Sequence, residues 1–208
     1  MKKKKVAIIN YGMGNLRSVE VSLNHLGIQN NVISSPDKLI GFSHIILPGV
    51  GSFKKAIYNL KKLGFFEKLP QILKNQNIKI LGICLGMQLL FSSSDEDGLT
   101  KGLDLLKGKV VKFEKNETKN LKVPHVGFNQ IKFNKKIDLL KDIQNNSDFY
   151  FDHSYRITKF MNILDIFECN YGIDFLAGLS HKNIFATQFH PEKSQSNGLI
   201  LLQNFINQ

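Results

Sequence analysis

The chain has 208 residues, long enough to bury a core without disulfides or metal and of a length that one domain, 1–208, accommodates. With 42% hydrophobic and 22% charged residues, and no apolar run long enough to span a bilayer, the composition is that of an ordinary soluble globular protein and excludes a membrane span. The net charge of +11 would permit nucleic-acid binding; the lysines, however, are scattered from Lys2 to Lys136 with no helix-turn-helix or zinc-finger spacing, so no nucleic-acid partner is expected.

The opening MKKKKVAIIN reads as a first strand with a solvated lead-in, because its apolar run stops at Asn10, too soon for a signal-peptide core. Apolar runs bounded by turn residues follow at NVIS (31–34), HIILP (44–48) and IKILGI (78–83). Helix-like segments separate them: Asn15 to Leu26, Ser52 to Leu63 and Phe66 to Leu73, with a further helix after Cys84. Gly27 and Gly64 are natural carboxyl-terminal caps. This alternation predicts a three-layer α/β fold, with a mostly parallel central sheet and helices on both faces.

The second half changes character. KVVKFE (109–114), NQIKF (129–133), DFYFDHSYRI (148–157), MNILDIFEC (161–169), FLAGLS (175–180) and NIFATQFH (183–190) are strand-like and succeed one another without long helices. Gly178, Asn183 and the polar stretch 116–120 supply the turns, and the sheet becomes mixed at its edge. A last helix, Ser196 to Ile206, presents Leu199, Ile200, Phe205 and Ile206 to the core.

Three short segments carry chemistry. GICLG (82–86) sets a glycine two residues before and two after Cys84, where a strand gives way to a helix. Such spacing suits a nucleophile elbow, in which the helix's first N–H groups face the sulfur. Taken alone, Cys84 reads as core filler; the flanking glycines bring the nucleophile reading level with it. In QFHPEKS (188–194), residues two apart on an extended segment project to one side, so Glu192 can reach one nitrogen of His190 and fix its tautomer. LPGVGSF (47–53) is a glycine turn whose N–H groups, from Val50 or Gly51, would join that of Leu85 in an oxyanion hole.

LPGVGSF, GICLGMQ, FDHSY and QFHPEKS, in this order, resemble class I glutamine amidotransferase domains across nearly the whole chain. YGMGNLRSV (11–19) and VPHVGFN (123–129) narrow the resemblance to the glutaminase subunits of imidazole glycerol phosphate synthases. The resemblance implies hydrolysis of L-glutamine to glutamate and ammonia, with Cys84 as nucleophile, His190 as general base and acid and Glu192 orienting it. It puts Gln88, Glu96, His153, Ser154 and Tyr155 in the glutamine pocket. It also implies a heterodimer with a (β/α)₈ barrel synthase, faced by Gly12, Asn15, Pro124, Val126 and Phe128, and no metal or organic cofactor. Low activity without the partner is the corresponding expectation.

Val126 and Phe128 stand where these subunits usually carry Met and Trp, which leaves two acceptors for the ammonia: the imidazole-forming intermediate of histidine biosynthesis, or a surface-polysaccharide nucleotide sugar served by a paralogue. A non-catalytic regulatory subunit is the third reading, set against the presence of a complete triad. Gly12 and Gly14 do not make a dinucleotide loop, because Arg17 stands where its third glycine would be. Cys169 reads as inert packing and His25, His44 and His181 as surface or core residues. Two cysteines form no disulfide framework and lack metal-ligand spacing, which fits a cytoplasmic protein. In FDHSY (151–155), Asp152 stands where the resemblance leads one to expect valine.

Overall fold

The computed structural model describes residues 4–161 and 165–208; the start of the lysine lead-in and positions 162–164 of the strand expected over 161–169 lie outside the described residues. The first half alternates as its apolar runs dictate: β1 (Val6–Ile9), α1 (Leu16–His25), β2 (Asn30–Ile33), β3 (His44–Leu47), α2 (Phe53–Lys62), α3 (Phe65–Ile72) and β4 (Lys79–Ile83). Gly27 and Gly64 follow α1 and α2 at φ 68° and 79°, left-handed positions that glycine adopts without a Cβ clash and that end each helix. After Cys84 comes only a five-residue helix, α4 (Leu85–Leu89).

The rest is mainly strand: β5 (Phe91–Ser94), β6 (Thr100–Lys101), β7 (Leu106–Lys112), β8 (His125–Lys132), β9 (Asp148–His153), β10 (Tyr155–Thr158), β11 (Asp165–Tyr171), β12 (Ile173–His181) and β13 (Ile184–Thr187), closed by α5 (Gln195–Asn207). The short polar strands β5 and β6 carry no apolar run and are not evident in the sequence. A nine-stranded sheet has the order β2-β1-β3-β4-β13-β12-β11-β8-β9. Its four pairings from β2 to β13 are parallel and its four from β13 to β9 antiparallel, so the antiparallel part is as extensive as the parallel one. A second sheet, β10-β7-β5-β6, packs beside it.

Strand periodicity makes two cores. Val6, Ile8, Ile46, Leu81 and Ile83 pack on one face with α1 and α5 through Val19, Leu23, Leu201, Leu202, Phe205 and Ile206. Ala7, Ile9, Ile45, Leu47 and Ile80 pack on the other with α2 and α3 through Phe53, Ala56, Leu60, Phe65 and Leu69. Parallel strands covered on both sides must be apolar throughout, which is why their sequences read as unbroken hydrophobic runs. Among the described residues no helix is long and apolar enough to cross a membrane.

Four sequence expectations change. The segment 148–157 is not one strand: it breaks at Ser154, β9 joining the large sheet and β10 the small one. β13 ends at Thr187, short of His190. Gly178 lies inside β12, not in a turn, because the ring of Phe167 in β11 occupies the space its Cβ would need. On α5 Ile200, Phe205 and Ile206 pack on the core as expected and Leu201 and Leu202 join them, while Leu199 is only half-buried.

Candidate active site

The central parallel strands deliver three turns to one cleft. At the end of β4, Cys84 has φ 54° and ψ −108°, a conformation that L-residues avoid. Close packing enforces it. A Cβ on Gly86 would overlap the Leu47 carbonyl, and one on Gly82 would come within 2.8 Å of Gly86 O and Met87 N. The flanking glycines therefore let the elbow press against β3 as well as letting the chain turn. The Cys84 N–H donates to Thr187 O at 2.7 Å, tying the elbow to β13. With α4 so short, its contribution is the free N–H groups of its first turn, Leu85 included, more than a long dipole.

Beyond β13 the chain leaves the sheet, and Pro191–Lys193 form a 3₁₀ turn. His190 Nδ1 lies 2.8 Å from Glu192 Oε1, but the reach comes from that turn and not from the extended segment the sequence suggested. Both side chains are almost fully buried. The turn is anchored on β9: the His190 N–H donates to Tyr150 O, and the Ser194 hydroxyl donates to His190 O while accepting from the Tyr150 N–H. Burial works against a charged His190, yet the nearby Cys84 sulfur and the Glu192 carboxylate outweigh it and push the imidazole up to about 10.

A cavity of about 450 Å³ opens in front of the sulfur, and its lining includes Val50, Gly51, Cys84, Leu85, Gln88, Glu96, His153, Ser154 and Tyr155. Ser52, Pro124 and Asp152 also line it, and Asp152 is exposed. Glu96 Oε2 also accepts from the Phe53 N–H at 2.7 Å, capping α2; burial, the larger effect, raises its carboxyl above the usual range.

The PGVG turn is buttressed from behind. Tyr11 donates from its hydroxyl to Pro48 O at 2.8 Å, and a Cβ on Gly49 would lie 2.7 Å from both that hydroxyl and Leu85 Cβ. Gly51, at φ 98°, packs near Met13. The YGMG loop thus lies directly on the PGVG turn. Gly12, Pro124, Val126 and Phe128 are exposed, and Asn15 is half-buried, with Oδ1 accepting from the Ser18 hydroxyl.

Sequence reasoning passed over three buried residues around the site. Gln188, fully buried, reaches Cys84 Sγ with Nε2 at 3.7 Å and accepts from Gln88 Nε2 at 3.1 Å. Its place two residues before His190 was the available signal. His125 and Tyr11 are likewise buried, inside segments quoted for other reasons. Cys169 is buried, and burial, with a smaller push from Asp174 that Lys132 opposes, drives its thiol up to about 12. Among the described residues no group of His, Cys, Asp and Glu is arranged to hold a metal.

The family described as glutamine amidotransferase class-I matches residues 7–208. "Imidazole glycerol phosphate synthase subunit HisH 1" of Campylobacter jejuni (strain RM1221) is 47% identical over 201 residues, 97% of this chain and 98% of that protein. "Imidazole glycerol phosphate synthase subunit HisH" of Methanosarcina barkeri (strain Fusaro) is 44% identical over 207 residues, 98% of each. Among solved structures, PurLQS from Thermotoga maritima superposes with a TM-score of 0.75 at 18% identity, covering 99% of this chain and 98% of that one, a likeness of fold alone. With a match over nearly its whole length and relatives this similar, the chain belongs to the class-I glutamine amidotransferase family.

Proposed function

We propose that this chain, one domain over 1–208, is the glutaminase subunit of an imidazole glycerol phosphate synthase. It would hydrolyse L-glutamine and pass the ammonia to a (β/α)₈ barrel partner in histidine biosynthesis, in the cytoplasm and as a heterodimer. The observation that supports the chemistry is a strained Cys84 lining the cleft, with the buried His190–Glu192 pair near enough for the sulfur to act on the imidazole. The pathway rests on relatives 44–47% identical over nearly the full chain.

In this reading, Cys84 Sγ attacks the side-chain amide carbon while His190 accepts the thiol proton, Glu192 holding its Nδ1–H. The oxyanion meets N–H groups of Leu85 and of Val50 or Gly51. His190 then returns the proton to the departing ammonia, leaving a γ-glutamyl thioester. Water, deprotonated by His190, cleaves that thioester, releasing glutamate, and the proton returns to the sulfur to regenerate the thiol. Gln88, Glu96, His153, Ser154 and Tyr155 line the substrate's place. No metal or organic cofactor enters the reaction.

The test is transfer of label from amide-¹⁵N glutamine by the chain purified with its barrel partner. The expected product is labelled imidazole glycerol phosphate. Label appearing in a nucleotide sugar and not in the imidazole would overturn the pathway and leave the glutaminase chemistry standing. Hydrolysis unaffected by Cys84→Ala would overturn the chemistry.

A further inference from the structure

One wall of the cleft is a corner. His153 ends β9 in the large sheet, Tyr155 begins β10 in the small one, and Ser154 carries the turn between them. Behind that corner runs a line of hydrogen bonds in which every proton can be assigned. Tyr155 O lies 2.8 Å from His153 Nδ1, and a carbonyl only accepts, so Nδ1 carries the hydrogen. Burial keeps this ring neutral, which makes Nε2 an acceptor, and His125 Nδ1, 3.2 Å away, must donate to it. His125 Nε2 is then left to accept from Asn129 Nδ2 at 3.3 Å. The Asn129 amide is oriented independently, because Oδ1 accepts from the Gln130 N–H at 2.8 Å and Nδ2 also donates to Asn170 O at 3.0 Å.

The strands make this line possible. His125 and His153 are direct partners across the antiparallel β8–β9 pair, and His125 is held flat between Tyr171 and Phe151, at ring separations of 3.9 and 4.8 Å. At the other end, the Tyr155 carbonyl also accepts from Gln88 Nε2 at 3.4 Å, so two residues of the cleft wall converge on one atom.

We propose that His125 is a positioning residue for the substrate pocket. By donating from Nδ1 it holds His153 in the Nδ1–H tautomer on the Tyr155 carbonyl, and so fixes the corner that presents Ser154 and Tyr155 to glutamine. The inference rests on the reading of this cleft as the glutamine pocket. Without the His125 donor, His153 Nε2 is left buried and unpaired, and the ring gains by turning toward the cleft, which releases the carbonyl.

Two measurements on the full chain test this. The first is the side-chain ¹⁵N–¹H correlation spectrum of histidine-labelled protein near neutral pH, in which both His125 and His153 should be Nδ1–H tautomers. Finding either as the Nε2–H form overturns the assignment whatever the substrate is. The second is the glutamine concentration that half-protects Cys84 from iodoacetamide, which needs neither turnover nor a partner. His125→Phe keeps the stacked ring and the volume but not the donor, and should raise this concentration about tenfold. His125→Asn, with a donor near the Nδ1 position, should recover most of that loss; His125→Gln, with its amide reaching only the Nε2 position, should not. General loosening would change the unprotected alkylation rate as much as the midpoint, whereas positioning moves the midpoint more. Equal behaviour of the Asn and Gln variants, or an unshifted midpoint in His125→Phe, would overturn the proposal. Absence of protection in the wild-type chain would sink the glutamine pocket itself, and this role with it.

Discussion

Cys84 occupies backbone angles that glycine would adopt freely, and such strain costs on the order of 1–3 kcal/mol in a non-glycine residue. Cys84→Gly should therefore unfold at higher urea than Cys84→Ala, by about 1 kcal/mol after glycine's own entropic cost. Equal midpoints would mean that the elbow is not strained. At Glu192 the prediction concerns rate: Glu192→Gln keeps the shape but not the charge behind His190, so kcat for glutamine hydrolysis should fall at least about a hundredfold with little change in KM. A fall of less than about fivefold would remove Glu192 from the proposed triad. The motif residues were legible because glycine spacing and a His-x-Glu pair leave a local trace. Gln188, Tyr11 and His125 leave none: their partners, Cys84, Pro48 and His153, are 104, 37 and 28 positions away in sequence.

Among the elements, α1, α2 and the strands β1 to β4 could be read almost to their ends, since caps and apolar runs are local. The break of 148–157 could not, because each half alternates like strand and only the two sheets decide where it turns. The 3₁₀ turn after His190 was likewise hidden; Pro191 announced the end of the strand but not the geometry that followed. Asn183, expected only to make a turn, does more. Its buried Nδ2 donates to Leu73 O at 3.0 Å and Ile78 O at 2.7 Å, fastening the end of α3 to the entry of β4. Asn183→Ala should destabilise the protein by about 1–3 kcal/mol in a urea titration, since it orphans buried carbonyls. A loss under about 0.5 kcal/mol would show that water replaces the amide.

For the whole molecule, buried histidines set the response to pH. Burial holds His44 down to about 4, His125 to about 4 and His153 to about 3. Unfolded, these rings take up protons near pH 6.5, so the unfolded chain binds more protons between there and about pH 4, and stability falls as pH falls through that window. Each ring contributes at most about 1.4 kcal/mol per pH unit. His190, raised to about 10, acts oppositely: its contribution is full below pH 6.5 and is lost as pH rises toward 10. Urea midpoints should therefore peak between pH 6.5 and 7.5 and drop clearly by pH 5; a flat profile from pH 7 to 5 would contradict neutral buried rings. The last consequence comes from β8. Its residues alternate, with Val126 and Phe128 turned outward at 55% and 50% exposure and His125 and Asn129 turned inward to the relay. A single strand thus presents an exposed apolar side and a buried polar one. Under the proposed function, substitution at the most exposed outer position, Val126, should change docking to the partner while the inward-facing His125 and Asn129 keep the proposed pocket unchanged.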